Sequence, residues 1–454
     1  MIASMKFPDH CPVVFTLVTM GLTSLFAGEV DGVRYAFEEG SGRIEAQAEG
    51  AFRLRVAVMP SADASRTLRI ELPESGPRSW PIADVRVVDG EGAPLAVRRS
   101  GIEWAKLAIP LAPDLSEIVV EAVEPAGGWP VRTSDRDRRI EGGPEGASVR
   151  IATWPGGKAA ALSFRFDDSD PSHLDRVDPV LREYGFRGTF MVNPGPDEPG
   201  SRRRSDFQAR LEDWKALAER RDHELANHTA RHRGAANDEE MDAEIRLAAG
   251  IIRELAPHQG RLMALNLGGG TTWTTTRTLR HYLECYDQFE IGGSLGMDDV
   301  YGGRVEAFQK HLETHLERGL WARVHYHGIG EGKGASEANF RAALEIAGQH
   351  RDRIWNAGMA EIHRYQVARD RARLVPADSG PGELVFRLET TTDPALYDRP
   401  LEIEARLPAV WVGVKIENGE GEEIPHTQVS EEGGRLVRFE LPAVASICRI
   451  LARP

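Results

Sequence analysis

Two acidic side chains stand side by side in ALSFRFDDSD, at Asp167 and Asp168, and two histidines stand four apart in HELANHTARH, at His228 and His232. Adjacent carboxylates repel, and the repulsion is relieved if one binds a cation and leaves the other as a base. Positions four apart are one helical turn apart, so both imidazoles could reach one point. Asp168 with His228 and His232 would then make an O, N, N set suited to a divalent metal such as zinc, with positions open for water and substrate. Each half also has a plainer reading, DDSDP as a solvated turn and the histidines as surface side chains.

Those residues need elements to hold them. ALSFRF reads as a strand with Leu162, Phe164 and Phe166 on one face, and it delivers the acidic pair at its carboxyl end, where α/β barrels place active sites. Behind it, Leu174, Val177 and Leu181 recur at helical spacing. RGTFMVNPG is the next strand, and Phe207, Leu211, Trp214 and Leu217 form a helical stripe behind a Ser205 cap. This alternation runs from near Val149 to about Leu374 and predicts parallel strands with crossover helices, in a (β/α) barrel or a doubly wound sheet. On both sides the rhythm is period two with Gly and Pro turn signals, as in FRLRVAVMP and RPLEIEARLP, which predicts β-sandwiches. The expected plan is an N-terminal β-sandwich at 29–145, an α/β catalytic domain at 146–373 and a C-terminal β-sandwich at 374–454. TSDRDRRIEGGPEGAS, charged and Gly-rich, is expected to link the first two.

The rest of the composition narrows the classes. The 454 residues are 41% hydrophobic and 28% charged, as in soluble proteins rather than disordered or multi-span membrane chains. A net charge of -14 provides no global basic field for nucleic acid. The first 28 residues hold an apolar run from about Pro12 to Ala27 that ends in small residues. It reads as a signal peptide, with an uncleaved anchor as the alternative, and implies a secreted or periplasmic protein with no transmembrane domain after removal. Cys285 and Cys448 lie far apart with no CxxC, and two buried thiols are expected rather than a disulfide or a cysteine-ligated metal.

In order and spacing, FDDSDP, YGFRGTFMVN and HELANHTARH resemble the opening motifs of the NodB-homology polysaccharide deacetylases, carbohydrate esterase family four. The resemblance is close from Ala159 to Arg233 and looser to about Arg373. It implies Asp168, His228 and His232 as the metal ligands and Asp167 as the general base, with Thr229 supporting the loop. It also implies a late histidine as the proton donor, and WARVHYHGIG offers His327, at the His-Gly step, with His325 as the fallback. An Arg-Pro motif usual in the family is missing, RLMALNLGGGTTW standing in its place. That leaves the orientation of Asp167 unassigned, with Arg165, two residues earlier on the same strand face, as a substitute or a substrate contact.

Further substrate contacts are expected from the Gly268–Gly270 run, with Gly269 and Gly270 offering amides, from Trp273 as a ring that stacks on sugar, and from Arg203 within SRRRS, attracting an anionic glycan. The resemblance implies a zinc-dependent hydrolase removing N- or O-linked acetyl groups from a polysaccharide or oligosaccharide. Two alternatives stand beside it: a catalytically weak or inactive glycan-binding protein, and another metal hydrolase acting on a small amide.

Overall fold

The alternation after residue 149 folds as a single parallel sheet. The computed structural model describes residues 14–17, 28–59, 66–125, 128–197, 205–330, 334–431 and 434–453. Eight of its strands belong to this sheet: β1 (Ala160–Asp167), β2 (Gly188–Val192), β3 (Glu224–Asn227), β4 (Met263–Leu265), β5 (Gln288–Glu290), β6 (Leu295–Gly296), β7 (Trp321–Tyr326) and β8 (Ile354–Asn356). Their order is β5-β4-β3-β2-β1-β7-β6, with β8 on the first residues of β1, and every pairing is parallel. Glu290 ends one edge strand and Leu295 begins the other. Five residue steps span at most about 18 Å, so the sheet must curl until its edges approach. The result is an open, half-barrel sheet.

All eight residues of β1 are buried, as a central parallel strand covered on both faces requires. Phe164, Phe166 and Phe190 meet Phe308 and Leu312 of helix Arg304–Arg318 and Phe340 and Leu344 of helix Glu337–Gln349 in one apolar core. Ser336 starts the latter helix by accepting from the Asn339 amide. Ser205 caps as expected, accepting from Gln208, but the helix it starts breaks at Arg210 into Asp206–Ala209 and Leu211–Arg220. Phe207, Trp214 and Leu217 are buried all the same.

The chain divides into two compact units. One comprises residues 1–129, 229–247 and 267–286. It holds two antiparallel sheets, one of Val14–Leu17, Arg43–Ala48, Arg53–Val58, Glu117–Ala122 and Val85–Asp89, the other of Thr272–Thr275, Val97–Ser100, Glu103–Pro110, Thr67–Glu71, Val33–Glu39 and Gly28–Val30. Leu54, Val56 and Val120 of the first and Tyr35, Ile70 and Leu107 of the second share one core. Strand Thr272–Thr275 pairs antiparallel with Val97–Ser100, so the expected boundary at 145 does not separate these sheets from the later chain.

The other unit comprises residues 130–228, 248–266 and 287–454, and holds the parallel sheet and two further antiparallel sheets. Ile403, Ala405 and Phe439 of one pack in a common core with Phe386, Ile416 and Ile450 of the other. The expected linker contributes to the first of these, since Arg139–Ile140 and Ser148–Ile151 are strands of it. Cys448 is buried in this core as expected, whereas Cys285 is exposed. No described helix is long and apolar enough to cross a membrane. The expected signal peptide, apart from residues 14–17, and Arg203 lie outside the described residues.

Candidate active site

β1 carries a cation and an anion two residues apart. Alternation puts Arg165 and Asp167 on one face, and the Arg165 guanidinium donates to Asp167 Oδ2 at 2.7 Å with both side chains buried. Burial by itself would raise the Asp167 carboxyl, but the Arg165 charge and the Arg165 hydrogen bond hold it below the ordinary carboxylate value. Asp167 Oδ1 is buried with no hydrogen-bond partner among the described residues. The strand ends here because Asp168 and Ser169 turn left-handed, at φ 77° and 55°. That conformation is costly for residues with a Cβ, and it swings Asp168 away from its neighbour instead of leaving the two as successive strand positions.

The second turn of the site is equally bent. β3 ends at Asn227, and the chain then bends with Thr229 at φ 66° and His232 at φ 54°, so no helical turn sets the spacing of His228 and His232. Thr229 Oγ1 accepts from the His232 amide at 3.1 Å, the support expected of it. Two polar ties hold the loop to neighbouring strands: the Asn193 side-chain amide donates to the His228 carbonyl at 2.5 Å, and the Asn193 backbone amide donates to Ser169 Oγ at 2.8 Å. His228 Nδ1 lies 3.0 Å from the Asn266 carbonyl, a bond that requires the proton on Nδ1. His228 Nε2 lies 3.3 Å from Asp168 Oδ1.

Asp168, His228 and His232 each offer a ligand atom, and these atoms all lie within 4.8 Å of one another. One carboxylate oxygen and two imidazole nitrogens are the donor types divalent zinc takes in catalytic sites. The set fits such an ion, with the buried and unpartnered Asp167 Oδ1 adjoining it in the chain.

A cavity of about 410 Å³ opens at the same strand ends, lined by Asp168, Asp170, Asp298, Tyr301, His327 and Gly328 among others. His327 follows β7, and its Nδ1 lies 2.5 Å from Asp298 Oδ2, while Asp298 Oδ1 accepts from the His327 amide at 3.1 Å. The Asp298 hydrogen bond, opposed by burial and aided by the Asp298 charge, raises the His327 imidazole above its ordinary value. His325, two residues earlier on the same strand, is pushed down to about 4 by burial and by the Arg165 charge. It faces Ser294 Oγ at 2.9 Å and sits beside Arg165 in the sheet register. Of the two, His327 is the one whose protonated form its surroundings favour.

The remaining expectations fare differently. Trp273 is fully buried, its indole N–H given to Thr271 Oγ1 at 2.7 Å, so the ring has no face for a sugar. Gly269 and Gly270 sit exposed in a turn. The glycine of consequence is Gly268 instead, at φ 85°, where an added Cβ would run into His232 Nε2. Arg165 is buried and donates to Asp167, which removes the reading as a substrate contact. His223 leads into β3, its Nδ1 accepting from the Gly188 amide at 3.1 Å. Glu224, pushed up to about 7 by burial, accepts from the Ala360 amide and so caps helix Met359–Asp370. Three positioning residues escaped the sequence: Asp298, Asn193 and Gly268. Each had a signal, an acidic pair after a short apolar run, the last polar residue of FMVN, and the first glycine of GGG.

Residues 155–284 match the family model described as polysaccharide deacetylase. That stretch is similar to the polysaccharide deacetylase family, the NodB-homology group that its motifs resemble. A gellan lyase from Bacillus sp. is 23% identical over 324 residues, which is 63% of this chain but 12% of that protein, so the chain spans only a small part of that relative's length. Among solved structures, peptidoglycan deacetylase PdaC from Bacillus subtilis is similar at 13% identity, covering 45% of this chain and 90% of that one with a TM-score of 0.31. A family 4 carbohydrate esterase from Streptomyces lividans is similar at 17% identity, covering 44% and 93% with a TM-score of 0.33.

Proposed function

We propose that the protein is a metal-dependent hydrolase that removes N- or O-linked acetyl groups from a polysaccharide. The observation that carries this reading is an O, N, N donor set whose Asp168 follows the buried, unpartnered Asp167 Oδ1 in the chain and lines one cavity with His327. Asp168, His228 and His232 would hold the ion, zinc by donor type, which supplies Lewis-acid polarisation of the acetyl carbonyl and of the attacking water. Asp167 Oδ1 takes the proton of that water, while Arg165 on Oδ2 keeps the carboxylate ionised and turned the right way. His327 gives its proton to the departing amine or alkoxide, and Asp298 fixes the ring through Nδ1.

The alternative, a glycan-binding protein without turnover, draws its support from the absent arginine motif. Arg165 at 2.7 Å from Asp167 weakens that support. The flanking antiparallel sheets are read as β-sandwich domains that help present a polymer, and the N-terminal apolar run as the signal that takes the protein to a secreted or periplasmic location.

The test is acetate release from chitin-type, xylan and uronate-rich acetylated polymers, before and after chelation. Activity on at least one polymer, lost with chelator and recovered with a divalent metal, is the expected result. A protein loaded with zinc that leaves Asp168, His228 and His232 empty would overturn the metal assignment.

A further inference from the structure

The antiparallel sheets that precede the parallel sheet in the chain and those that follow it repeat one design. Seven strands run from Arg43–Ala48 through Arg53–Val58, Thr67–Glu71, Val85–Asp89, Val97–Ser100 and Glu103–Pro110 to Glu117–Ala122. Seven more run from Ala372–Pro376 through Glu383–Thr390, Leu401–Leu407, Gly413–Asn418, His426–Glu431 and Gly434–Leu441 to Ser446–Arg453. In each set the first, second, seventh and fourth strands adjoin in that order in one sheet, and the fifth, sixth and third in the other. The turn between the fourth and fifth strands matches in detail. In VVDGEGAPL, Asp89 Oδ1 accepts from the Glu91 and Ala93 amides at 3.0 and 2.8 Å, and in KIENGEGEEI, Asn418 Oδ1 accepts from the Glu420 and Glu422 amides at 3.0 and 2.9 Å. Gly92 and Gly421 then turn left-handed, at φ 89° and 85°.

The two copies differ at the edge that the fifth strand forms. In the first copy Val97–Ser100 is covered by Thr272–Thr275, which pairs with it antiparallel. In the second, His426–Glu431 ends its sheet, paired with Gly434–Leu441 and with no further strand among the described residues. An open edge offers a row of backbone N–H and C=O groups to another chain, and proteins blunt such edges with short strands, cations, prolines or bulges. Those devices sit on the covered edge, which has four residues, Arg98 and Arg99 among them, and a register shift between Arg98 and Ser100. The open edge has six residues in unbroken register, and from His426 to Ser430 the sequence holds no lysine, arginine, aspartate, glutamate or proline. Thr427 and Gln428 are exposed on it. We infer that His426–Glu431 is the edge by which two copies of this chain pair, strand against strand and antiparallel about a twofold axis. An antiparallel strand is what the counterpart edge already carries. A twofold pairing sets each strand against its own sequence, and a strand with charges along it would oppose itself. The inference goes beyond the deacetylase reading and does not rest on it.

Sedimentation velocity of the full chain over a range of concentrations is expected to show a monomer passing to a dimer. Lysines at the two exposed positions, Thr427→Lys with Gln428→Lys, leave the backbone ladder to Gly434–Leu441 in place but bring like charges together across the axis, and weaken the dimer about tenfold or more. An unchanged circular dichroism spectrum shows that this variant is folded. Hydrogen exchange on the wild-type chain reads the same contact without a substitution: the amides of residues 426–431 gain protection as concentration rises. A chain that stays monomeric at every concentration, as it would if this edge served a different protein, overturns the pairing. So does a dimer that the lysines leave as tight as before, or exchange at 426–431 that ignores concentration.

Discussion

Two of the places where the described residues bury carboxylates differ in whether an oxygen is left without a partner. On strand Leu401–Leu407, Glu402 and Glu404 are both buried. Glu402 takes the amides of Gly156 and Gly157 at 2.8 and 3.0 Å, one on each oxygen, and Glu404 takes Arg438 at 2.9 Å on one oxygen and Arg150 at 2.7 Å on the other. Nothing is left to react. At the end of β1, Arg165 closes only one oxygen of Asp167, and the other is buried without a partner. Burial of a carboxylate is therefore no mark of function by itself. An open lone pair beside a donor set and a cavity is.

Changes at the β1 end should cost turnover, and changes on the Glu402 strand should cost only stability. The largest effect belongs to Asp167→Asn, which keeps the shape and the bound metal but removes the base: kcat is expected to fall about 10²- to 10⁴-fold, with metal content by elemental analysis unchanged. A variant that keeps wild-type turnover would place Asp167 with the closed carboxylates.

Next comes Asp298→Asn. The Asp298 bond is the main cause that raises His327, so His327 holds its proton to higher pH in the wild type. Without that bond the alkaline limb of the pH–rate profile moves to lower pH, and kcat at neutral pH drops about tenfold or more. A limb that stays in place would show that His327 is not the proton donor.

Arg165→Gln acts at the other limb. Asp167 lies below its ordinary value because the interactions that favour its charged form, the Arg165 charge foremost, outweigh the burial cost. Removing that charge raises Asp167, so activity is lost at higher pH on acidification than in the wild type. An unshifted acid limb would assign the orientation of Asp167 to another group. The smallest effect on catalysis is expected from Glu404→Gln, which loosens the closed cluster by about 1–3 kcal/mol in denaturant unfolding while kcat and KM stay as in the wild type.

The motifs show why half of the site is legible without a structure. Asp167, Asp168, His228 and His232 sit at the carboxyl ends of β1 and β3, and short sequence spacing carries the residues that an end of a strand must display. Arg165 is legible by the same logic, since alternation fixes it to the face of Asp167. Asp298 is not, because its partner is 29 residues away and the two meet only through the packing of β6 on β7. Gly268 is hidden for another reason: a glycine run names a turn, while the clash that demands one of its members comes from a side chain far off in sequence. Trp273 misled because aromatic character says nothing of which sheet a strand joins, and Thr272–Thr275 joins an antiparallel one. The four-residue histidine spacing suggested a helical turn, but left-handed turns at Thr229 and His232, and no helix, shape the loop between the two histidines.

The arrangement of Arg165 and Asp167 has a consequence for how such a site can be altered. Base and orienting cation occupy alternate positions of one buried strand, so no insertion, deletion or hinge elsewhere in the chain can part them. The acid has no such insurance: His327 depends on a loop carried by a different strand. Any process that rearranges residues 297–303 would disarm proton donation and leave the base and its metal ligands intact, which makes that loop the natural place for evolution, or an inhibitor, to switch turnover off.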